Sequence, residues 1–292
     1  MFALTLWKFS RPHTIIGSAL SIAALYVLAT GLLPQYWQPE LWWALAAALL
    51  CNVFITGYNQ VVDVDLDRIN KPYLPIASGA MGMGTAKVVC AVALAGALGA
   101  AALQGPFLLA LIAAIALLGF VYSHKAIYLK RHHTTAAMAI TLVRGVLVNV
   151  GFYIHFAEAG ETLPPALWTL VVFTSLFSLG IAWFKDIPDT PGDATAGIGS
   201  LALRLGVDRA WSAGVYTVCS GYVAGAFAPL LFHFEGVNGP LLCVGHAVLG
   251  IMFLSVAQRV RLNDLAALKR FYRYFWLFFF AEYLLFAAAV FF

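Results

Sequence analysis

The sequence predicts an all-α polytopic membrane protein of nine transmembrane helices with its N-terminus on the cytoplasmic side. Hydrophobic residues make up 62% of the 292, charged residues only 10%, and the mean hydropathy is +0.88, outside the range of soluble domains. Nine apolar runs, near residues 13–33, 41–61, 86–104, 106–124, 136–157, 165–185, 210–233, 238–258 and 271–292, each reach the ~20 residues that cross hydrocarbon as a helix. The charges then give the topology. All of the 17 Lys and Arg except Arg144 lie before span 1 or in and around the loops after spans 2, 4, 6 and 8. The other loops hold Glu40, Glu158, Glu161 and Glu235 and no base. The net charge of +4 is therefore a topology signal; no basic stripe with interleaved aromatics supports nucleic acid as a partner.

Span 1 follows Lys8 and Arg11 as a signal peptide would, but it is longer than an h-region and is expected to remain as a helix. Span 2 carries Asn52, Asn59, Asp63 and Asp67 at spacings of seven and four, which puts them on one helical stripe, while Asp65 points away toward water. Spans 3 and 4 are plain apolar helices. The loop after them holds His132 and His133 beside Lys130 and Arg131, expected to be solvated. Span 5 contains Arg144, about nine residues or ~14 Å from the cytoplasmic edge, where an unpaired charge is costly. Glu282, at similar depth in span 9, is one partner for it; lining an aqueous cavity is the alternative. Span 6 ends in Asp186, Asp189 and Asp193. There Pro188, Pro191 and Gly192 predict a helix end opening into a loop, with freed backbone carbonyls near the acids. Cys51, Cys90, Cys219 and Cys243 stand singly within spans and read as packing residues.

The two acid clusters fall after equivalent spans, roughly 125 residues apart, which predicts a four-helix unit used twice. The repeats run about 13–135 and 136–258, with helix 9 outside them, in a single transmembrane domain over 1–292. Crowded carboxylates repel one another unless cations hold them, and Mg²⁺ takes a few carboxylates plus waters and phosphate oxygens. The expected ligand is therefore a diphosphate. Arg68, Lys71, Lys130, Arg131, Lys185 and Arg204 stand near these loops, ready for phosphate oxygens the metal leaves free. Asp63, Asp65 and Asp67 are not a calcium loop, because Arg68 and Leu74 occupy the positions that need Gly and Glu. A diphosphate at the mouth of an apolar cavity points to ionisation chemistry. Tyr58, Phe120, Tyr122, Trp183 and Phe184 are the aromatic faces nearest to shelter an allylic cation.

NQVVDVDLDRINKPYLPIASG and KDIPDTPGD together resemble the UbiA family of intramembrane aromatic prenyltransferases, across almost the whole chain. The resemblance implies a nine-helix bundle around a central cavity, with its Asp motifs after helices 2 and 6. It implies two Mg²⁺ held by Asn59, Asp63, Asp67, Asp186, Asp189 and Asp193, and a prenyl diphosphate met by Asn59, Arg68, Lys71, Tyr122, Lys130, Arg131 and Lys185. Catalysis falls to Asp63, Asp67, Asp189, Asp193 and Arg144, with Asn52, Asn149 and His155 as candidates to line the cavity or contact the acceptor.

RPHTIIGS at 11–18, NKPYLPIASG at 70–79, RGVLVN at 144–149 and FKDIPDTPGD at 184–193 look most like the homogentisate prenyltransferase branch of tocopherol and plastoquinone synthesis. That implies homogentisate as the small aromatic acceptor, with loss of carbon dioxide. Chlorophyll synthases carry a related stretch and are the nearer rival; the heme-O and 4-hydroxybenzoate branches show an NRPL-type sequence instead. One departure stands out: this chain reads HKAIY before Leu129, Lys130 and Arg131, where the branch usually has a proline pair. No plastid transit peptide is evident, so a bacterial cytoplasmic or a thylakoid-type membrane is expected, with the active site opening to the cytoplasm. A divalent-cation transporter, the non-enzyme rival, should place acids at mid-membrane rather than at helix ends. CDP-alcohol phosphotransferases use one acid motif, not two.

Overall fold

A computed structural model describes residues 2–158, 160 and 162–292; Glu161, read above as a loop acid, lies outside the described residues. Helix α1 (Phe2–Phe9) leads into α2 (Pro12–Thr30), α3 (Pro39–Val62), the short α4 (Val64–Asn70), α5 (Met83–Leu103) and α6 (Pro106–Ser123). The fifth span consists of α7 (His133–Thr141), a π-helical segment (Leu142–Leu147) and α8 (Val148–Phe156). Then come α9 (Pro165–Asp186), a 3₁₀ turn (Ile187–Asp189), α10 (Thr190–Thr195), α11 (Leu201–Leu205), α12 (Val207–Leu231), α13 (Gly239–Ala257) and α14 (Leu265–Phe291). Among the described residues nine helical stretches are long and apolar enough to cross a membrane; they overlap the nine expected spans, the sixth running on to Thr195 rather than ending near 185. Prolines open α3, α6 and α9, where the missing N–H has no helical partner to lose and the fixed φ is already helical.

Two expectations are corrected. The backbone after span 6 does not open into a loop: it stays helical through the 3₁₀ turn into α10. Pro191 falls in the first turn of α10, a position that tolerates proline, so the break costs a change of helix type rather than the helix. The first acid stripe is not one helix either. It kinks at Asp63 (φ −101, ψ 14) before α4 resumes, with the Asp67 N–H still donating to the Asp63 carbonyl at 2.7 Å.

The chain forms two compact units. One comprises residues 2–19, 38–139 and 189–199; the other 20–37, 140–188 and 200–292. In the first, α3 is the central element. A Cβ on Gly57 would stand 2.6 Å from the Phe9 ring, and one on Gly119 would stand 2.4 Å from Ile55, so both glycines are what allow this close approach. Asn52 is committed here: its amide donates to Ser18 Oγ (2.8 Å) and the Thr14 carbonyl (3.2 Å), pinning α3 to α2 rather than facing a cavity.

In the second unit α9 is the buried axis. Phe177 stacks on Phe275 at 4.2 Å, and Phe184 is enclosed by Trp211, Phe271 and Phe275, so Phe184 is a packing residue and not a shelter for a cation. The four cysteines are free, Cys51 and Cys90 buried in the first unit and Cys219 and Cys243 half-buried in the second. His246 and Glu282 form a fully buried pair, Nε2 to Oε1 2.9 Å, with His246 Nδ1 2.7 Å from the Leu242 carbonyl. Gly225 leaves the space that the imidazole fills.

Breaking this pair from one side strands a charge in an apolar interior. His246→Leu should lower stability by about 3–5 kcal/mol, and adding Glu282→Met should recover most of the loss; thermal melts of the single and double variants in detergent check both.

Candidate functional site

The first unit gathers both acid motifs. Asp63, Asp67, Asp189 and Asp193 are all buried, at 4–6% exposure, an unusual density of carboxylates away from water. Three bases answer them. The Lys130 ammonium pairs with Asp63 Oδ2, and that of Lys71 with Asp189 Oδ2. Arg11, at the entry to α2, donates from Nη2 to Asn59 Oδ1 at 3.1 Å. Asn59 passes this contact on, donating to Asp63 Oδ2 at 2.8 Å and to Ser123 Oγ at 3.1 Å.

Backbone contacts hold the two motifs together. Asn70, the last residue of α4, accepts the Gly192 N–H at 3.1 Å, and a Cβ on Gly192 would lie 2.3 Å from that amide oxygen. Gly192 is therefore required by close approach rather than by conformation. On the other side, the Arg131 carbonyl accepts the Gly199 N–H at 2.8 Å, and the His133 N–H donates to the Gly199 carbonyl at 3.1 Å. The predicted solvated loop is thus tied by its backbone to the residues that follow Asp193.

The charges do not balance evenly. One oxygen of Asp67, Oδ2, is buried with no hydrogen-bond partner. Burial pushes the Asp67 pKa up to about 6 from an ordinary 3.8, with Asp63 adding to it, although Arg11, Lys71 and Lys130 all work to lower it. For Lys71, burial works to lower the pKa, and the Asp189 carboxylate outweighs it, leaving the ammonium held above its ordinary value. Burial, reinforced by Asp63 and Asp193, pushes the Tyr128 phenol up to about 12, so it is a neutral donor beside the acids.

Several sequence candidates fall elsewhere. Arg68 is bound to Asp65 at 2.9 Å on an exposed face, with side chains 61% and 84% exposed, because the spacing of three puts them together one turn apart on α4. Asp65 faces water as expected; Arg68 does not converge on the buried acids. Arg131 and Arg204 are exposed, and Arg131 serves the site through its carbonyl. Tyr122 is half-buried at the end of α6. Tyr58 stacks between Phe54 and Phe120, with its hydroxyl 2.7 Å from Nδ1 of His124, the first residue of the HKAIY departure.

In the second unit, Lys185 and Asp186 lie beside each other at 3.3 Å. Glu282 is taken by His246, so the Arg144–Glu282 pair does not form; Arg144 lies over the Trp276 ring at 5.0 Å. Asn149 is fully buried, its amide bonded to the Arg144 and Gly145 carbonyls. His155 is half-buried against the Phe156 ring at 5.0 Å.

Four residues of this site were not singled out from sequence: Arg11, Asn70, Ser123 and Tyr128. Asn70 sits inside the NKP stretch, three residues past Asp67 on the same stripe, a signal that was there to read. Arg11 and Tyr128 adopt left-handed backbone, φ +54 in both, a conformation that costs a non-glycine residue ~1–3 kcal/mol and clusters at functional sites. No local pattern announces that. The Lys130 ammonium lies 5.1 Å over the Tyr128 ring, so the strained turn presents both side chains to the acids.

Among the described residues no three His, Cys, Asp or Glu side chains are grouped as a ready metal cage. The donors are hard oxygens, one of them bare. That set fits a cation such as Mg²⁺, which takes one or two carboxylates and completes its shell from substrate phosphates and water.

Comparison with known proteins accords with this geometry. The model of the UbiA prenyltransferase family matches residues 18–281. The homogentisate phytyltransferase of Synechocystis sp. (strain ATCC 27184 / PCC 6803 / Kazusa) is 35% identical over 293 residues, covering 97% of this chain and 94% of that protein. The chloroplastic homogentisate solanesyltransferase of Arabidopsis thaliana is 36% identical, over 96% of this chain and 75% of that one. A solved UbiA homologue from Archaeoglobus fulgidus, bound to GPP and Mg²⁺, shares the fold with a TM-score of 0.68 at 18% identity, covering 95% of this chain and 99% of that one.

The raised pKa of Asp67 has a sign that can be tested. The folded state holds this proton more tightly than the unfolded chain, so stability falls as pH rises from near 3.8 through about 6. Asp67→Asn removes the penalty. It should stabilise the metal-free protein at pH 7.5, by up to about 3 kcal/mol, and give no gain at pH 4; melts at the two pH values decide it.

Proposed function

The chain belongs to the UbiA prenyltransferase family, and from that premise we propose that it moves a prenyl group from its diphosphate onto the ring of homogentisate, with loss of carbon dioxide. It is an integral membrane prenyltransferase. The observation that supports the site assignment most directly is the bare, buried Asp67 oxygen inside a cluster of acids already braced by Lys71, Lys130 and Arg11.

Mg²⁺ would be held by Asp63, Asp67, Asp189 and Asp193, as two ions, with Asn59 and Asp186 as further donors, and when bound it supplies charge neutralisation for the departing diphosphate. The chain's own cations act alongside. The Lys71 and Lys130 ammoniums and the Arg11 guanidinium, whose Nε–H is buried without a partner, donate to diphosphate oxygens. The neutral Tyr128 hydroxyl is a further donor. The C–O bond to diphosphate breaks with its electron pair leaving on the phosphate, and a ring carbon bonds the allylic carbon and gives up its proton. The side-chain carboxylate then leaves as carbon dioxide, and the benzylic carbon takes up a proton to become the methyl group of the quinol.

Acids at helix ends rather than at mid-membrane favour this reading over a cation transporter. The positive-inside pattern favours a cytoplasmic N-terminus and a site opening to that side, in a bacterial cytoplasmic or thylakoid-type membrane. Chlorophyllide or 4-hydroxybenzoate would be the alternative acceptors.

Purified protein given Mg²⁺, homogentisate and a panel of prenyl diphosphates should release diphosphate and form a prenylated, decarboxylated quinol, detected by mass spectrometry of the lipid extract. Product only with another phenol or with chlorophyllide would replace the acceptor. Metal flux into vesicles with no diphosphate release would return the transporter. Asp63→Ala and Asp189→Ala should each cut turnover by roughly 100-fold or more, as chelation does. Arg11→Ala should raise the KM for prenyl diphosphate about tenfold, whereas Arg68→Ala, on its exposed face, should change it less than about twofold.

A further inference from the structure

Arg144 is the lone base deep in a span, and the carboxylate offered to it by the sequence is engaged elsewhere: Glu282 binds His246 at 2.9 Å. Among the described residues no carboxylate pairs with Arg144. Its guanidinium rests 5.0 Å above the Trp276 ring, eleven residues or ~16 Å along its span from His133. A cation at that depth without an anion is expensive, so intramembrane bases mark ligand or ion sites by default.

The backbone around it is built rather than incidental. Leu142–Leu147 is π-helical, a wide turn that marks functional positions more often than ordinary helix. Asn149 locks it from inside. The Asn149 amide nitrogen lies 2.9 Å from the carbonyls of Arg144 and Gly145 and from Thr174 Oγ1, and its oxygen accepts the Tyr283 hydroxyl at 2.9 Å. A Cβ on Gly145 would stand 2.8 Å from Ser175 Cα, so α9 is pressed against the π segment. One turn along α9 from Ser175, the Ser178 hydroxyl is fully buried and unpartnered; the buried Thr141 hydroxyl, one turn before Arg144, is unpartnered too. A cation without an anion and two hydroxyls without partners therefore occur along one pair of packed helices.

We infer that Arg144 is the anchor for the carboxylate of the aromatic acceptor, with the Thr141 and Ser178 hydroxyls available to its phenolic groups. The ligand class is a small hydroxylated aromatic acid. The planar guanidinium takes a carboxylate through two parallel hydrogen bonds while its face stays on Trp276. The lock through Asn149 and Tyr283 fixes where the guanidinium starts, so it acts on selectivity between acidic and neutral acceptors rather than on diphosphate binding.

The inference rests on the proposed prenyl transfer, and binding measurements on the full-length protein separate the two. Titration calorimetry with homogentisate and with its methyl ester on the unaltered protein should show the ester weaker by on the order of 10- to 100-fold. Arg144→Gln should erase that preference and Arg144→Lys should keep part of it, while both bind a prenyl diphosphate within about twofold of the unaltered protein. Equal affinity for acid and ester in the unaltered protein overturns the inference even if the variants do not fold. So does undiminished homogentisate binding by Arg144→Gln, or diphosphate binding with no homogentisate binding at all. Failure to bind prenyl diphosphate sinks the proposed function instead.

Discussion

Four carboxylates cannot be buried in one small volume unless positive charge is brought to them. The first unit is arranged around that constraint. Lys71 reaches across to the second acid motif, Lys130 returns from the loop after α6 to the first, and Arg11 arrives from the start of the chain through Asn59. Each cation comes from a different segment, so satisfying the acids also ties those segments together. Asn70 and Gly192 then set the distance between the motifs with a single hydrogen bond, the Gly192 N–H donating to the Asn70 side-chain oxygen. Even so, one oxygen of Asp67 is left bare, in keeping with the cation-binding role proposed for it.

The second unit handles polar groups differently. Its deeply buried polar pairs are matched between helices. His246 with Glu282 and Asn149 with Tyr283 are paired among tightly packed phenylalanines, and glycines at 180, 214 and 225 give the larger rings room. Against that background the Arg144 guanidinium stands out, since among the described residues no carboxylate pairs with it and it rests on an aromatic face.

Much of this was legible in the sequence, and for clear reasons. Spans are legible because hydrocarbon demands ~20 apolar residues, and prolines mark their starts. The acid stripe is legible because spacings of four and seven share a face. Partnerships between segments are not, since nothing local to Asp63 says that Lys130 will reach it or that Arg11 will hold Asn59. Arg68 was misread although its neighbour was visible: Asp65, three residues before it on α4, claims its charge. Pro188 and Pro191 were misread as helix breakers: Pro191 falls in the first turn of α10, where no N–H would have bonded, and Pro188 sits in the 3₁₀ turn that joins α9 to it. The π segment left no trace in residue type, and its lock, Asn149, looked from sequence like one more polar residue facing a cavity.

The opening residues of the chain form part of this machinery. The Phe9 ring fills the notch at Gly57, Gln60 donates to the Phe9 carbonyl at 2.7 Å, and Arg11 follows directly in its left-handed conformation. Whatever displaces α1 therefore pulls on a guanidinium in the acid cluster. On the proposed function, an affinity tag or a trimmed start at this end would therefore reach the acid cluster through Phe9 and Arg11, so additions to this chain are better placed at the other terminus.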